Sequence, residues 1–396
     1  MTDSAHADDL VDWILRQALA HDDLGSLLTG FCERLNAAGL PVWRASLDLP
    51  TIDPSFRALT HKWWRDRPSA VGTFLHGPEQ EQAFQRSVIH HLLANDLEVH
   101  RWQLEREASA LGFDLLNELR DAGATDYVMR LITFGDGQSV VRGVAFSIAT
   151  DRAGGFSETE IAQVMRFVPA LGLAAYRVSA ARTATNALSV YLGPSTARRV
   201  LDGEIRRGEG ERIPATILFA DLRGFTDFTE QADPLAVVAR LDQHFEAIGD
   251  AVTARGGEIL KFLGDGLLAV FPVADAEAQP CPACEAALRA AEDAIAANLR
   301  LNERHRISGG HNLDIDVALH FGDVVYGNVG ASRRLDFTVI GRAVNEACRM
   351  ESLCDALGRN IVLSETFAHR CARPTLKLGT FALRGLREPR SLYGIA

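Results

Sequence analysis

Two aspartates in the second half of the chain stand where carboxylates often hold metal ions. Asp221 ends a strand-like run in FADLRGFTDF, and Asp265 lies at the tip of the hairpin predicted for KFLGDG. No histidine or cysteine accompanies them, and carboxylate oxygens are the ligands that hard divalent cations such as Mg²⁺ prefer. Taken separately, a strand-end aspartate is often only a helix cap, and GDG is an ordinary turn. Together they predict a cation site where two neighbouring strands end.

The residues after Asp221 suit a phosphate group. Gly224 opens a turn into a helix, which leaves free backbone N–H groups close to the carboxylate. Such amides can hold the oxygens of a metal-bound polyphosphate. The predicted contacts are Gly224, Phe225 and Thr226.

An amide and a guanidinium form a further pair of candidates. Asn345 and Arg349 in LDFTVIGRAVNEACRM are spaced i, i+4, so on a helix they share one face. Such a pair can position a ribose and neutralise charge that gathers on a phosphoryl group. A surface polar pair is the alternative, but Val344, Ala347 and Met350 would pack around it, which favours a functional role.

Regular elements surround these residues from Ile213 onward. ATILFAD is typical of a short buried strand, and a helix follows from Asp233 and Pro234 with apolar residues at spacings of three and four, namely Val238, Leu241, Phe245, Ile248 and Val252. EILKFL and LLAVFP read as two strands joined at GDG.

The later elements complete one sheet packed against helices. We predict a helix from Glu285 to about Leu301, a helix from Arg342 to about Ala356, and four strands, LDIDVALH, VVYGNVG, LDFTVIG and a last strand IVLS. This order predicts an α+β fold.

In combination, FADLRGFT, LKFLGDG and TVIGxxVNxxxR resemble the class III nucleotidyl cyclases, the family of adenylate and guanylate cyclases. The resemblance spans about Ile213 to Tyr393. It implies a ferredoxin-like catalytic domain that works as a head-to-tail homodimer with two shared active sites at the interface.

The resemblance also implies a role for each matching residue. Asp221 and Asp265 would bind two Mg²⁺ or Mn²⁺ ions per site, Asn345 would orient the ribose, and Arg349 would stabilise charge on the reacting phosphate. Arg384, in LRGLREP, matches a basic contact to the triphosphate. The implied reaction is a phosphorus–oxygen lyase reaction that closes a 3′,5′-cyclic nucleotide and releases pyrophosphate.

Lys261 and Thr338 match the positions that select the base in this family. A lysine can donate to N1 of adenine, and a threonine hydroxyl can accept from N6. The pair resembles that of a bacterial adenylate cyclase subgroup, so we expect ATP as substrate and cyclic AMP as product. The alternatives are a guanylate cyclase, which Lys261 opposes, and a non-catalytic nucleotide-binding regulatory module.

The short spacing between Lys261 and Asp265 itself favours a dimer. An ammonium in the same pocket would compete with the metal ion for the carboxylate. In the implied dimer, Asp265 binds metal in one interface site while Lys261 contacts adenine in the other.

The first half of the chain predicts a separate domain. Helices over DDLVDWILRQAL and LGSLLTGFCERLNAAGL precede two strands, TDYVMRLITF and SVVRGVAFSIAT, joined through GDGQ. Ser157 and Glu160 fit a capping box. The order loosely resembles GAF-type or PAS-type sensor domains; a dimerisation domain without a ligand is the plain alternative. We predict a sensor domain over residues 1–175 with an unknown ligand or partner, a helical connector over 176–212, and the catalytic domain over 213–396.

The composition limits the classes of partner expected for the chain. The 396 residues carry a net charge of −11, and the densest basic run is interrupted by glutamates, so no nucleic-acid partner is expected. The acidic start lacks the features of a secretory signal, and no apolar run is long enough to cross a membrane. We expect a cytoplasmic protein without membrane contact. Its six cysteines should be reduced thiols, and CPAC should be the loop that enters a helix.

Overall fold

The computed structural model describes residues 2–53, 55–106, 112–135, 143–206, 208–307, 310–331 and 334–396, with side chains from residue 9 onward. Most of the GDGQ connection lies outside these residues. Contacts divide the chain into two compact units, Met1–Ala187 and Leu188–Ala396.

One antiparallel sheet forms the centre of the N-terminal unit, with strand order β3-β2-β1-β6-β5-β4. Its strands are β1 (Arg44–Pro50), β2 (Phe56–Trp64), β3 (Ala70–Leu75), β4 (Val99–Trp102), β5 (Asp126–Thr133) and β6 (Gly143–Thr150). The two predicted strands pair as β5 and β6. Alternate side chains of β6 point to opposite faces, so Phe146 and Ala145 belong to different cores.

Helices cover both faces of this sheet. They are α1 (Thr2–Ala20), α2 (Leu24–Ala37), α3 (Pro78–Gln85), α4 (Val88–Ala94), α5 (Asp114–Asp121) and α6 (Glu158–Leu192). α1, α2 and α6 pack on one face, where Phe31 lies edge-on to Phe146 and Phe167. α4 and α5 pack on the other face around Trp102 and Tyr127.

The capping box predicted at Ser157 is confirmed. The Glu160 N–H donates to Ser157 Oγ at 3.3 Å, and Glu160 Oε2 accepts from the Ser157 N–H at 2.7 Å. The helix it begins, α6, continues to Leu192 and thus includes the first part of the predicted connector, residues 176–192. Pro169 lies within α6 without ending it, because buried residues on both sides hold the helix against the core. α7 (Pro194–Leu201) follows after Gly193.

The C-terminal unit contains an eight-stranded sheet with the order β13-β14-β12-β10-β7-β9-β8 and with β11 paired to β10. Its strands are β7 (Gly210–Arg223), β8 (Glu258–Leu263), β9 (Gly266–Pro272), β10 (Asp314–Ala331), β11 (Arg334–Ile340), β12 (Ile361–Ser364), β13 (Thr375–Phe381) and β14 (Arg390–Ile395). β10 and β12 are parallel, and the other pairs are antiparallel. The mixed α+β content agrees with the prediction.

Two predictions about this sheet are wrong. LDIDVALH and VVYGNVG form one strand, β10, because β7 pairs with it continuously from Arg223 to Gly210. IVLS is not the last strand, since β14 pairs with β12 and β13 pairs with β14. The segments of β13 and β14 contain few β-branched residues, so pairing with neighbours decides their conformation.

Helices lie on both faces of the second sheet. They are α8 (Phe225–Gln231), α9 (Pro234–Ala254), α10 (Pro282–Ile307), α11 (Arg342–Glu351), α12 (Cys354–Leu357) and α13 (Glu365–Ala368). α9 and α10 share a core with one face, and α11 packs on the other through Ala343 and Ala347. No helix among the described residues is both long and apolar enough to cross a membrane.

The predicted apolar face of α9 is only half right. Ile248 and Val252 are buried, but Val238 is 54% exposed. Arg240 and His244 are buried instead, because the Arg240 guanidinium donates to the His311 carbonyl at 2.6 Å. Polar contacts with the neighbouring segment thus set the orientation of this half of the helix.

The CPAC stretch has the structural role expected of it. Cys281 and Cys284 are buried free thiols where α10 begins. Burial raises the pKa of Cys284, so it is held as an unreactive thiol.

Candidate active site

β7 and β9 bring the two predicted metal ligands to one edge of the sheet. The strands pair as far as Ala220 and Leu267, which places Asp221 beside the β8–β9 hairpin. A Cβ on Gly266 would lie 3.1 Å from Oδ1 of Asp221, and Asp265 is the preceding residue. Gly264 takes a φ of 70° in the turn, a conformation that favours glycine.

Several carboxylates lie close together at this edge of the sheet, and their negative charges repel one another. Burial and the charge of Asp265 raise the pKa of Asp221 to about 6. Burial, with the charges of Asp221, Asp316 and Asp265, raises the pKa of Glu351 to about 8. Like charges that repel one another out of water are stabilised by a cation.

Glu351 and Asp316 are further neighbours of Asp221 and Asp265 that were not predicted from the sequence. Asp316 lies directly opposite Asp221 where β7 pairs with β10. The alternation of apolar and acidic residues in LDIDVALH could have indicated a carboxylate at this position. The Arg223 guanidinium neutralises it by donating to both carboxylate oxygens, at 2.9 and 2.5 Å. Among the residues that the structure describes, no arginine or lysine pairs with Asp221 in this way.

The donor set fits a hard divalent cation only in part. Among the described residues, no group of three or more His, Cys, Asp or Glu side chains is arranged to hold a metal ion. Asp221 and Asp265 offer a pair of carboxylates, so the remaining ligands must come from a substrate or water. Mg²⁺ usually binds in this way, through one or two carboxylates plus phosphate oxygens.

A cavity of about 670 Å³ collects basic side chains at α11. Asn345, Arg349 and Arg384, all predicted site residues, line it together. Arg342 and Arg387, which the sequence argument missed, line it as well, with Glu388 as the acidic residue. Arg342, Asn345 and Arg349 are spaced i, i+3 and i+7, so one helix face presents all three.

An ion pair holds the segment of Arg384 and Arg387 against α11. Arg390 Nε donates to Glu346 Oε1 at 3.1 Å, and both side chains are largely buried. Because Glu346 belongs to the same helix as Asn345, the pair fixes the two walls of the cavity relative to each other.

The two predicted base contacts lie on strands that touch each other. Lys261 on β8 donates to Asp336 Oδ2 of β11 at 2.6 Å. Thr338, two residues further along β11, is 4% exposed, and its Oγ1 has no hydrogen-bond partner among the described residues. Asp336 was missed because no motif marks it.

The predicted phosphate contacts stand at the start of a short helix. Gly224 takes a φ of 81° immediately before α8, which begins at Phe225. The carbonyl of Thr226 accepts from the Thr229 hydroxyl at 2.8 Å. Gly224 therefore turns the chain directly after β7, the strand that carries Asp221.

Residues 211–390 match the family model described as the adenylate and guanylate cyclase catalytic domain. Over these residues the C-terminal unit is therefore similar to a cyclase catalytic domain. The match includes each of the predicted site residues and ends at Arg390, the first residue of β14.

Curated relatives that match this region include two adenylate cyclases. This chain is 32% identical over 189 residues to one from Anabaena cylindrica, covering 46% of this chain and 36% of the relative. It is 30% identical over 223 residues to adenylate cyclase 1 of Rhizobium meliloti, covering 54% and 32%. The chain thus spans about a third of the length of these relatives.

Solved structures similar to this region include an adenylyl cyclase and a guanylyl cyclase. One is the adenylyl cyclase CyaB from P. aeruginosa, with 27% identity, 48% of this chain and 96% of that chain covered, and a TM-score of 0.44. Another is the guanylyl cyclase Cya2, with 30% identity, 47% and 93% coverage, and a TM-score of 0.41.

Proposed function

We propose that the protein is an adenylate cyclase that converts ATP to 3′,5′-cyclic AMP and pyrophosphate. The observation that carries the proposal is the cavity in which four guanidinium groups meet Asn345 on and beside α11. Guanidinium groups bind phosphate oxygens through paired hydrogen bonds, so this cavity suits a nucleoside triphosphate.

Each cavity residue has a task that follows from its chemistry. Arg349 stabilises the charge that grows on the α-phosphate, and Asn345 orients the ribose so that its 3′-oxygen is in line with the leaving pyrophosphate. Arg384 binds the outer phosphates, with Arg342 and Arg387 beside it.

Asp221 and Asp265 are the proposed ligands of two Mg²⁺ or Mn²⁺ ions. When bound, such ions lower the pKa of the 3′-hydroxyl and neutralise the triphosphate. The mutual repulsion of the carboxylates supports this assignment, because it is relieved by a cation. Gly224, Phe225 and Thr226 are proposed to hold phosphate oxygens through their backbone.

Lys261 and Thr338 are the proposed contacts to adenine. The buried hydroxyl of Thr338 has a free hydrogen-bonding capacity that the adenine N6 amino group would satisfy. Guanine presents N1–H and O6, the reverse arrangement, and would set its donor against the Lys261 ammonium.

Turnover of ATP and GTP, each offered separately with Mg²⁺ or Mn²⁺, tests the proposal. We expect cyclic AMP, and about a 100- to 1000-fold lower turnover for Arg349→Ala. Arg306→Ala, which removes an exposed arginine paired with Glu303, should leave turnover unchanged. A preference for GTP would make the protein a guanylate cyclase, and binding without product would make it a regulatory module.

The two active sites are proposed to be shared between two copies of the chain. Asp265→Ala and Asn345→Ala chains are each expected to be inactive. Mixed in equal amounts, they should regain up to about a quarter of the wild-type activity, because half of the dimers are mixed and each has one intact site. An inactive mixture would contradict shared sites.

The N-terminal unit is proposed to be a GAF-like sensor that regulates the cyclase domain. Arg44 and Tyr127 flank the small Ala149 on one sheet face, both are buried, and Nη1 of Arg44 makes no hydrogen bond of good geometry with the described residues. Buried polar groups without partners favour a bound polar molecule. A chain that starts at Leu188 should differ in specific activity from the full chain; equal activity would contradict regulation.

A further inference from the structure

We propose that the N-terminal unit binds a small zwitterion of the free amino-acid class between Arg44 and Asp48 of β1. The ligand carboxylate pairs with the Arg44 guanidinium, and the ligand ammonium pairs with the Asp48 carboxylate. The inference rests on the proposed function of this unit as a sensor and deepens it, since it names the chemistry of the ligand.

The site lies on the sheet face that α4 and α5 partly cover. Residues directly opposite one another on paired strands share a face, so the register gives three rows of side chains across β5, β6, β1 and β2. The rows are Tyr127–Ala149–Arg44–Trp64, Met129–Ser147–Ser46–Lys62 and Leu131–Ala145–Asp48–Thr60. Because β6 contributes only alanine and serine to these rows, its surface is low beside the three polar residues of β1.

Arg44 is a buried cation without a counter-ion. It is 3% exposed, and no carboxylate of the described residues lies within 4.0 Å of its guanidinium nitrogens. The neighbouring Tyr127 hydroxyl stays neutral, because burial raises its pKa to about 12. The Trp64 ring centroid is 5.9 Å from the guanidinium carbon, at the outer limit of a cation–π contact. A charge left in this state is costly, and an anionic group of a ligand would compensate it.

Asp48 supplies the opposite charge four residues along the same strand face. Burial raises the pKa of its carboxyl, and the hydrogen bond from Thr60 and the charge of Arg44 offset this only in part. Ser46 Oγ donates to Oδ2 at 3.0 Å. An ionised carboxylate can accept further hydrogen bonds, and among the described residues neither Arg44 nor Lys62 forms an ion pair with it. A cationic group of a ligand would therefore stabilise this carboxylate.

The two charges together define the ligand class. Their Cα atoms are about 13 Å apart along the strand, so a small molecule fits between the two side chains. A simple anion would compensate Arg44 and leave Asp48 as it is, and a simple amine would do the reverse. The hydroxyls of Ser46 and Ser147, 2.7 Å apart, lie between the two charges and keep the middle of the site polar. A molecule with one carboxylate and one ammonium matches both ends.

An internal polar network without a ligand is the competing interpretation. In that case the Arg44 charge only costs stability, and its replacement by methionine would stabilise the chain. No amino acid would then bind. The two interpretations therefore differ in ligand binding, which can be measured without reference to catalysis.

Calorimetric titration of the full chain with each of the common L-amino acids tests the proposal. We expect at least one of them to bind and to raise the thermal unfolding midpoint as its concentration increases. Its amide lacks the carboxylate charge and its N-acetyl form lacks the ammonium charge, so each should bind at least about tenfold more weakly. Binding by none of the amino acids would overturn the proposal. Equal binding of the N-acetyl form would overturn it as well and leave a plain anion site.

Two variants assign the two ends of the ligand. Arg44→Met should weaken binding at least about tenfold and abolish the preference for the amino acid over its amide. Asp48→Asn, which preserves shape, should weaken binding similarly and abolish the preference over the N-acetyl form. A preference that survives in its variant would mean that the amino acid binds elsewhere.

Controls separate this inference from the proposed function. Arg16→Met, which removes an exposed arginine paired with Asp12 on α1, should leave binding unchanged. If Arg44→Met unfolds, Asp48→Asn and the two ligand derivatives carry the test. An amino acid that binds without changing turnover would contradict the sensor function and leave the site standing. A chain starting at Leu188 that differs in activity, while no amino acid binds the full chain, would keep the sensor and overturn this ligand class.

Discussion

Asp126 and Asp221 lie on the sheets of the two units, and their surroundings are opposite. Asp126, with no exposed surface, accepts from Arg101 Nη2 at 2.7 Å and from the Phe156 N–H at 2.9 Å. Asp221 instead is partly buried beside Asp265 and Asp316, and burial together with these neighbouring charges raises its pKa. One charge is compensated within the fold, and no basic side chain among the described residues compensates the other in the same way.

This difference is a guide to which buried charges serve structure and which serve chemistry. A buried carboxylate with a complete set of donors stabilises its fold, and losing either partner is costly. A carboxylate crowded by others costs stability in the free protein, and functional sites are where such groups are retained. The N-terminal and C-terminal sheets show the two cases in one chain.

The strongest way to test the comparison is to remove the compensated charge. Asp126→Ala leaves the largely buried Arg101 guanidinium without its main partner and should lower the free energy of unfolding by about 3–5 kcal/mol. Urea denaturation followed by tryptophan fluorescence measures this. Asp12→Ala, which removes one exposed partner of Arg16, should cost about 1 kcal/mol or less. Equal effects would contradict the distinction.

Removing the Asp221 charge should have the reverse effect, with a loss of activity and little change in folding stability. Asp221→Asn should reduce kcat/KM at least about 100-fold. It should leave the free energy of unfolding unchanged or raise it by up to about 1 kcal/mol, since repulsion with Asp265 is relieved. Activity and urea unfolding on the same preparation check both. A loss of stability matching that of Asp126→Ala would show that Asp221 serves the fold.

A buried histidine that carries no charge at neutral pH sharpens the comparison. His244 is fully buried near Arg240, and burial lowers its pKa to about 4. The unfolded chain therefore takes up the proton first as the pH falls below about 6.5. Stability is complete above that pH and should fall by up to about 3 kcal/mol by pH 4.

Urea denaturation at several pH values between about 4 and 7 measures this slope. His320, whose pKa burial also lowers to about 4, contributes in the same direction. His244→Gln should make the dependence shallower but leave part of it. A slope that the substitution does not change would show that other groups cause it.

The smallest expected effect concerns the capping box at Ser157, whose hydrogen bonds are formed but exposed to solvent. Ser157→Ala removes one half of the capping box of α6 and should cost about 1 kcal/mol of unfolding free energy. Ser157→Thr keeps the hydroxyl and should be close to wild type. A cost as large as that of Asp126→Ala would mean that burial does not govern the difference between the two regions.

Residues whose geometry is local could be predicted from the sequence. Asp265 is placed by a two-residue turn, and Asn345 and Arg349 by the spacing of one helix, so motif and position agree. The capping box at Ser157 is local as well. In each case a few neighbouring residues determine the conformation.

Apart from Arg342, which shares a helix with Asn345, what was missed depends on contacts between distant segments. Arg387 reaches the cavity because Arg390 pairs with Glu346, and Asp336 reaches Lys261 because β11 folds beside β8. β10 was predicted as two strands because its continuity comes from pairing with β7. Such features depend on the sheet order, which local periodicity does not determine.

Gly266 has a consequence for how sequence variants of this protein should be interpreted. Its φ is not among the positive values, so alanine would fit the backbone, yet the added methyl would lie 3.1 Å from the Asp221 carboxylate. A substitution of Gly266 by alanine would displace a proposed metal ligand, although every chemical group of the site would still be present. In a mutational scan it would be indistinguishable from a catalytic residue, although it contributes only an empty space.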